Sequence, residues 1–257
     1  MTPARLTLIG VPTNSSGAVD GVARAPAVLR QHGLATALAR HRGFTDAGDL
    51  PLPVPVPVCG PSGLLAEDAL AAMIELVAQA VGAARRPPLA SPTGEAADCE
   101  LGLALGLFGT GLGPRLRAVL PRLDPADVAA VGPRDSAELA AAGVASLDGR
   151  LGALIRPAEL TADRYAAALA GLPPPWWLHT DLDVLATDQL AAVDYPQPGG
   201  LSWDQLASLT ATALAADGCA GWSVCIYNPD LDPRRDSADA IVSYITQTIT
   251  TSDQPAR

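Results

Sequence analysis

The stretch Trp176-Trp177-Leu178-His179-Thr180-Asp181-Leu182-Asp183 is an apolar run that ends in two acids. Residues two apart in a strand share a face, so a strand reaching this point sets the Asp181 and Asp183 carboxylates side by side. Paired carboxylates suit a divalent cation. Without one they repel, and one of them takes up a proton more readily than a free carboxylate does. That makes an acid and a base in one place, a pair suited to moving protons in a cyclisation, a dehydration or an isomerisation. His179 and Tyr227 are candidate helpers, and Cys99 is a candidate nucleophile whose thiolate nearby carboxylates would disfavour. Each has a plainer reading: a helix cap and a solvated acid for the aspartates, a backbone-bonded strand-end histidine, a packed tyrosine.

The segment Asp194-Tyr195-Pro196-Gln197-Pro198-Gly199-Gly200-Leu201-Ser202 is costly to order unless it shapes a pocket wall, so Asp194, Tyr195 and Gln197 are read as substrate contacts. Asp98 and Glu100 either face substrate or cap the helix that follows, whose N-terminus favours negative charge. His32 and His41 lie on or just after a surface helix and are read as structural. Trp176 and Trp177 follow three prolines and serve the core better than a ligand.

Strand and helix signals alternate along the chain, which predicts a parallel sheet flanked by helices. Strands are expected at Arg5–Val11, Gly43–Asp46, Asp127–Val131, Val144–Leu147, Trp176–Leu182 and Gly221–Tyr227. Helices are expected at Ala25–Arg40, Gly63–Ala84, Asp98–Leu107, Pro114–Leu120, Thr161–Ala170, Ser202–Ala216 and Ser237–Ile249. The prolines of Leu50–Val58 fix an extended connector. Only Phe108-Gly109-Thr110-Gly111-Leu112-Gly113 separates two helices where an alternating sheet calls for a strand, and it is too short and glycine-rich to be one.

A chain of 257 residues, 49% hydrophobic, buries one substantial core, so a single domain over residues 1–257 is expected. All 17 basic residues are arginine and the formal charge is −10. Lysine chemistry is thereby excluded, and nucleic acid is not an expected partner because phosphate binding needs a basic face. No apolar run reaches about 18 residues and the N-terminus lacks a signal-peptide layout, which predicts a cytoplasmic protein without a membrane partner. Cys59, Cys99, Cys219 and Cys225 have neither zinc-site spacing nor the density of a disulfide scaffold, so free thiols are expected.

In order along the chain, several segments resemble the arginase and agmatinase ureohydrolases. Ile9-Gly10-Val11-Pro12 with Ala25-Pro26-Ala27-Val28-Leu29-Arg30 is similar to that family's first strand and helix. Ala97-Asp98-Cys99-Glu100 is similar to its Gly-Gly-Asp-His/Cys loop, and His179-Thr180-Asp181-Leu182-Asp183-Val184-Leu185 to its acid-ended strand. Pro196-Gln197-Pro198-Gly199-Gly200-Leu201 and Tyr227-Asn228-Pro229 resemble its later active-site loops, which adds Asn228 to the substrate contacts. The resemblance implies a three-layer α/β/α sandwich with a mainly parallel sheet whose strand ends hold two manganese ions and a bridging hydroxide that attacks a guanidinium or amidine carbon. It also shows what has changed. The Asp-Ala-His-x-Asp strand would fall in the glycine-rich linker, so one central strand is expected to be lost, and the histidine loop with it. Cys99 stands at a histidine ligand position, Ile226 stands where a glutamate would grip guanidinium, and only Asp181 and Asp183 match metal ligands.

Arginase or agmatinase activity is therefore not expected. Three readings follow: a repurposed enzyme of specialised metabolism doing metal-independent acid-base chemistry on a small molecule; a catalytically silent structural or regulatory subunit; or a metal-dependent amidinohydrolase or amidohydrolase completed by a partner chain. No cofactor is expected under the first, whereas a single divalent metal such as manganese, held by Asp181, Asp183 and Cys99, is the alternative. A lost strand leaves an edge that invites another chain, which predicts a homo-oligomer.

Overall fold

Arg30 shows how the first unit is tied together. The computed structural model describes residues 6–60, 62–82, 100–107, 111–120, 122–141 and 143–252. Strand β1 (Thr7–Gly10) pairs in parallel with β2 (Thr45–Asp49), and helix α1 (Ala25–Gln31) lies between them in sequence. From α1, Arg30 forks onto Asp46 at 2.9 and 3.0 Å and also pairs with Asp49, both on β2. The single helix expected over Ala25–Arg40 is instead two, because Gly33 adopts a left-handed conformation (φ 89°) before α2 (Leu34–Leu38).

Helices α3 (Glu67–Gly82), α4 (Glu100–Ala104) and α5 (Pro114–Val119) follow. They bury Leu70, Ala71, Ile74, Leu103, Leu112 and Leu116 in one apolar cluster. Between α4 and α5 no strand occurs among the described residues, and Phe108, Gly109 and Thr110 of the glycine-rich linker lie outside them.

The remaining elements are strand β3 (Ala129–Val131), helix α6 (Ser136–Ala141), strand β4 (Ala153–Ile155), helix α7 (Ala162–Ala170), strand β5 (Trp176–Asp181), helix α8 (Trp203–Ala215), strand β6 (Cys219–Cys225) and helix α9 (Asp236–Ser252). β3 pairs with β4 and β5 with β6, both in parallel. The strand expected at Val144–Leu147 is a correction: those residues are irregular, Val144 to Ser146 are exposed, and β4 begins nine residues later, where Ala-Leu-Ile can enter the interior. α7 and α8 cover the second core, in which Tyr165, Trp176 and Ala213 are buried among Leu169, Leu178 and Leu209.

By packing, the chain falls into two compact units, where composition predicts one domain. Residues 1–122 with 227–246 form one, and residues 123–226 with 247–257 the other. Among the described residues, no helix is long and apolar enough to cross a membrane.

Candidate functional site

The register of β5 against β6 builds the site. His179 lies opposite Ser223 and Asp181 opposite Cys225. Alternate residues share a face, so Trp177, His179 and Asp181 line one side of β5 beside Gly221, Ser223 and Cys225 of β6. The Trp177 ring lies directly over Gly221, where a side chain's first carbon would come within 2.2 Å of it. Its indole N–H donates to Ser223 Oγ at 3.1 Å, and Ser223 Oγ is 2.7 Å from His179 Nδ1. On the other edge of the imidazole, Nε2 is 3.2 Å from Asp181 Oδ1. That carboxylate oxygen is shielded from solvent, yet no donor completes a hydrogen bond to it.

Asp183 does not share this face. The chain leaves the strand after Asp181 and turns through one 3-10 turn, Leu182–Val184, which buries Leu182 completely and carries Asp183 off the strand alternation. Burial, and then repulsion from Asp181, pushes the Asp183 carboxyl up to about 6, against a smaller opposing pull from Arg134. Burial is thus the larger cause, ahead of the mutual repulsion that the Asp-x-Asp spacing predicts.

Arg134, just after β3, holds the turn. Its Nη1 donates to Val184 O at 2.8 Å and its Nη2 to Asp183 O at 2.5 Å. Val184 O also accepts from Leu201 N at 3.0 Å, so the end of the Asp194–Ser202 loop is fastened to the same turn. Within that loop the Tyr195 hydroxyl donates to Glu138 of α6 at 2.8 Å, and Gln197 Nε2 is 3.4 Å from the same carboxylate. Asp194 is exposed.

Other expected site residues have structural partners in the first unit. Tyr227 is buried and its hydroxyl donates to Asp232 at 2.8 Å, rather than to the acid pair as the sequence predicts. Burial and that carboxylate raise the phenol far above its ordinary range, so it stays protonated. Asn228 caps the 3-10 turn Pro229–Leu231 by accepting from Asp230 N at 2.9 Å. His32 pairs with Asp239 at 2.7 Å, a structural role as expected. Glu100 is the first residue of α4, while Asp98 and Cys99 lie outside the described residues. Cys59, Cys219 and Cys225 are in no disulfide.

Sequence reasoning missed Ser223, Cys225 and Arg134. Cys225 was visible as a thiol two residues before Tyr227, but only the pairing register puts it against Asp181.

No family model matches the chain, and no curated protein matches it by sequence. Solved structures do. The arginase of Bacillus caldovelox superposes with a TM-score of 0.75 at 21% identity, covering 98% of this chain and 99% of that one. Entamoeba histolytica arginase gives 0.71 at 15% identity, over 98% and 99% of the two chains. The proclavaminate amidino hydrolase of Streptomyces clavuligerus gives 0.60 at 17% identity, over 96% and 91%. The chain therefore has the α/β fold of the arginases.

The dimanganese cluster implied by the resemblance does not fit the described residues. Among the described residues, the one group of three or more side chains able to hold a metal is His179, Asp181 and Cys225, and Asp183 is not in it. One nitrogen, one oxygen and one sulfur are a poor donor set for manganese, which favours oxygen.

Proposed function

We propose that this protein is a repurposed enzyme of the ureohydrolase fold that moves protons on a small molecule at the end of β5, without manganese-activated hydroxide. The hydrogen-bonded chain from Trp177 through Ser223 to His179, ending 3.2 Å from Asp181, carries the reading. Indole only donates, so Ser223 Oγ accepts from it and has its own hydrogen to give to His179 Nδ1. The ring proton then sits on Nε2, the nitrogen 3.2 Å from Asp181 Oδ1. A third of each of the His179 and Asp181 side chains is exposed, 30% and 34%, so a bound molecule has access to both. In this reading His179 is the group that exchanges a proton with substrate, Asp181 stabilises its charged form, and Ser223 with Trp177 fixes the ring plane.

Three further observations support a changed chemistry. The resemblance puts Ile226 where a glutamate would grip guanidinium, and Ile226 has a φ of 70°, an unusual conformation for a β-branched residue. Burial and then repulsion from Asp181 raise the Asp183 carboxyl to about 6, so it takes up a proton more readily than a free carboxylate. The Asp194–Ser202 loop is anchored to the turn that carries Asp183.

The test uses chelator-treated protein in deuterated water with a panel of small carbonyl, hydroxy and amino acids, read by mass spectrometry for deuterium gained at carbon. Exchange that falls at least 100-fold in both His179→Gln and Asp181→Asn is expected. Urea released from arginine or agmatine on adding manganese, or exchange unchanged in both variants, overturns the reading.

A further inference from the structure

We propose that His179, Asp181 and Cys225 form a site for one thiophilic divalent cation of the zinc class. The reading goes beyond proton transfer and stands independently of it. The three side chains come from two strands paired in parallel, in a register that sets Asp181 beside Cys225 and places His179 two residues before Asp181 on the same face. Their ligand atoms all lie within 4.8 Å of one another. A tetrahedral ion with bonds of about 2.0–2.3 Å holds its ligand atoms roughly 3.3–3.7 Å apart. The 3.2 Å between His179 Nε2 and Asp181 Oδ1 already matches such an edge, and the thiol has to close by no more than about 1 Å.

A second observation points to a cation. Asp181 Oδ1 is removed from water, and His179 Nε2, although 3.2 Å away, completes no hydrogen bond to it. A carboxylate oxygen in that state is unfavourable unless a positive charge faces it. An ion between the imidazole and the thiolate meets that oxygen directly.

The surroundings suit the site as well. Metal-binding imidazoles are generally held by a hydrogen bond at the other ring nitrogen, and here Nδ1 is 2.7 Å from Ser223 Oγ. That oxygen has two lone pairs, so it accepts from Nδ1–H while it still accepts from Trp177. Mixed nitrogen, oxygen and sulfur donors select zinc or cobalt over manganese, and three protein ligands leave a fourth position open for water or an anion.

Ion and ring proton compete for Nε2. Binding moves the proton from Nε2 to Nδ1 and releases the Cys225 thiol proton to solvent, so the loaded form is silent in proton transfer.

The experiment titrates cobalt(II) into chelator-treated full-length protein and follows the thiolate-to-cobalt charge-transfer absorption, with zinc counted by elemental analysis after desalting. One ion per chain is expected, together with a band that Cys225→Ser abolishes and a loss of affinity of at least 10-fold in His179→Gln. Nitrogen chemical shifts of His179 should exchange the Nε2–H pattern for the Nδ1–H pattern on loading. Cys59→Ser and Cys219→Ser should change nothing. No band, a band that survives Cys225→Ser, a band lost in Cys99→Ser instead, or two manganese ions bound in preference to zinc overturns the proposal. Deuterium exchange is measured in chelator, so a failure to bind metal leaves the proton-transfer reading standing, and a failure of exchange leaves the metal site standing.

Discussion

Gly221→Ala tests whether the face of β5 and β6 that carries the site is as closely packed as the contacts require. A first side-chain carbon there would lie 2.2 Å from Cζ3, 2.4 Å from Cη2 and 2.9 Å from Cε3 of Trp177. Ordinary carbon contacts are about 3.5–4.0 Å, so the ring has to retreat by roughly 1.3 Å or the strands have to part. Overpacking of this kind costs about 1–3 kcal/mol. A moving ring also strains the Trp177 bond to Ser223, worth about 1 kcal/mol. The sum is a loss of about 2–4 kcal/mol, a large share of the roughly 5–15 kcal/mol that holds a domain folded. Urea unfolding followed by tryptophan fluorescence measures it. Gly171→Ala is the control, since its nearest neighbours would be 3.5 and 3.6 Å away and its backbone is helical, and a change of no more than about 0.5 kcal/mol is expected. If Gly221→Ala matches the wild type within that margin and the Trp177 indole resonance does not move, the account of how Ser223 and His179 are held is wrong.

Two other predictions concern the first unit. Tyr227→Phe removes the hydroxyl from a buried bond to Asp232 and leaves that carboxylate with the Ala238 amide at 3.0 Å, so a stability loss of about 1–2 kcal/mol in urea is expected; no loss would show that the bond contributes nothing. Asp46→Asn breaks the Arg30 fork and should lower stability at pH 7 by about 1–2 kcal/mol. The Arg30 hydrogen bonds hold the Asp46 carboxyl below its ordinary value. A depressed carboxylate stabilises fully above its unfolded value of about 3.9 and loses that contribution as pH falls through the folded value. Wild type and Asp46→Asn should therefore converge below pH 4 in urea unfolding at several pH values, and a constant gap would refute the linkage.

The alternation of elements and the acid-ended strand were legible because each rests on local chemistry: apolar runs, caps, prolines, glycines. The break at Gly33 is local: its left-handed backbone, with its N–H on Arg30 O, divides a helix that is continuous by periodicity. The Val144–Leu147 run read as a strand because short apolar runs carry no direction, whereas the chain pairs Ala153–Ile155 with β3.

The sequence by itself determined that two aspartates end an apolar strand and that lysine chemistry is absent. It could not determine which groups meet those aspartates. Asp183 is lifted off the strand face by a 3-10 turn that buries Leu182, and its carboxyl is raised mainly by that burial. Ser223 and Cys225 reach His179 and Asp181 only through the parallel register of β5 and β6. Register depends on how whole strands bury their faces and on the glycine that lets Trp177 lie flat, so it belongs to the folded chain and not to any local pattern.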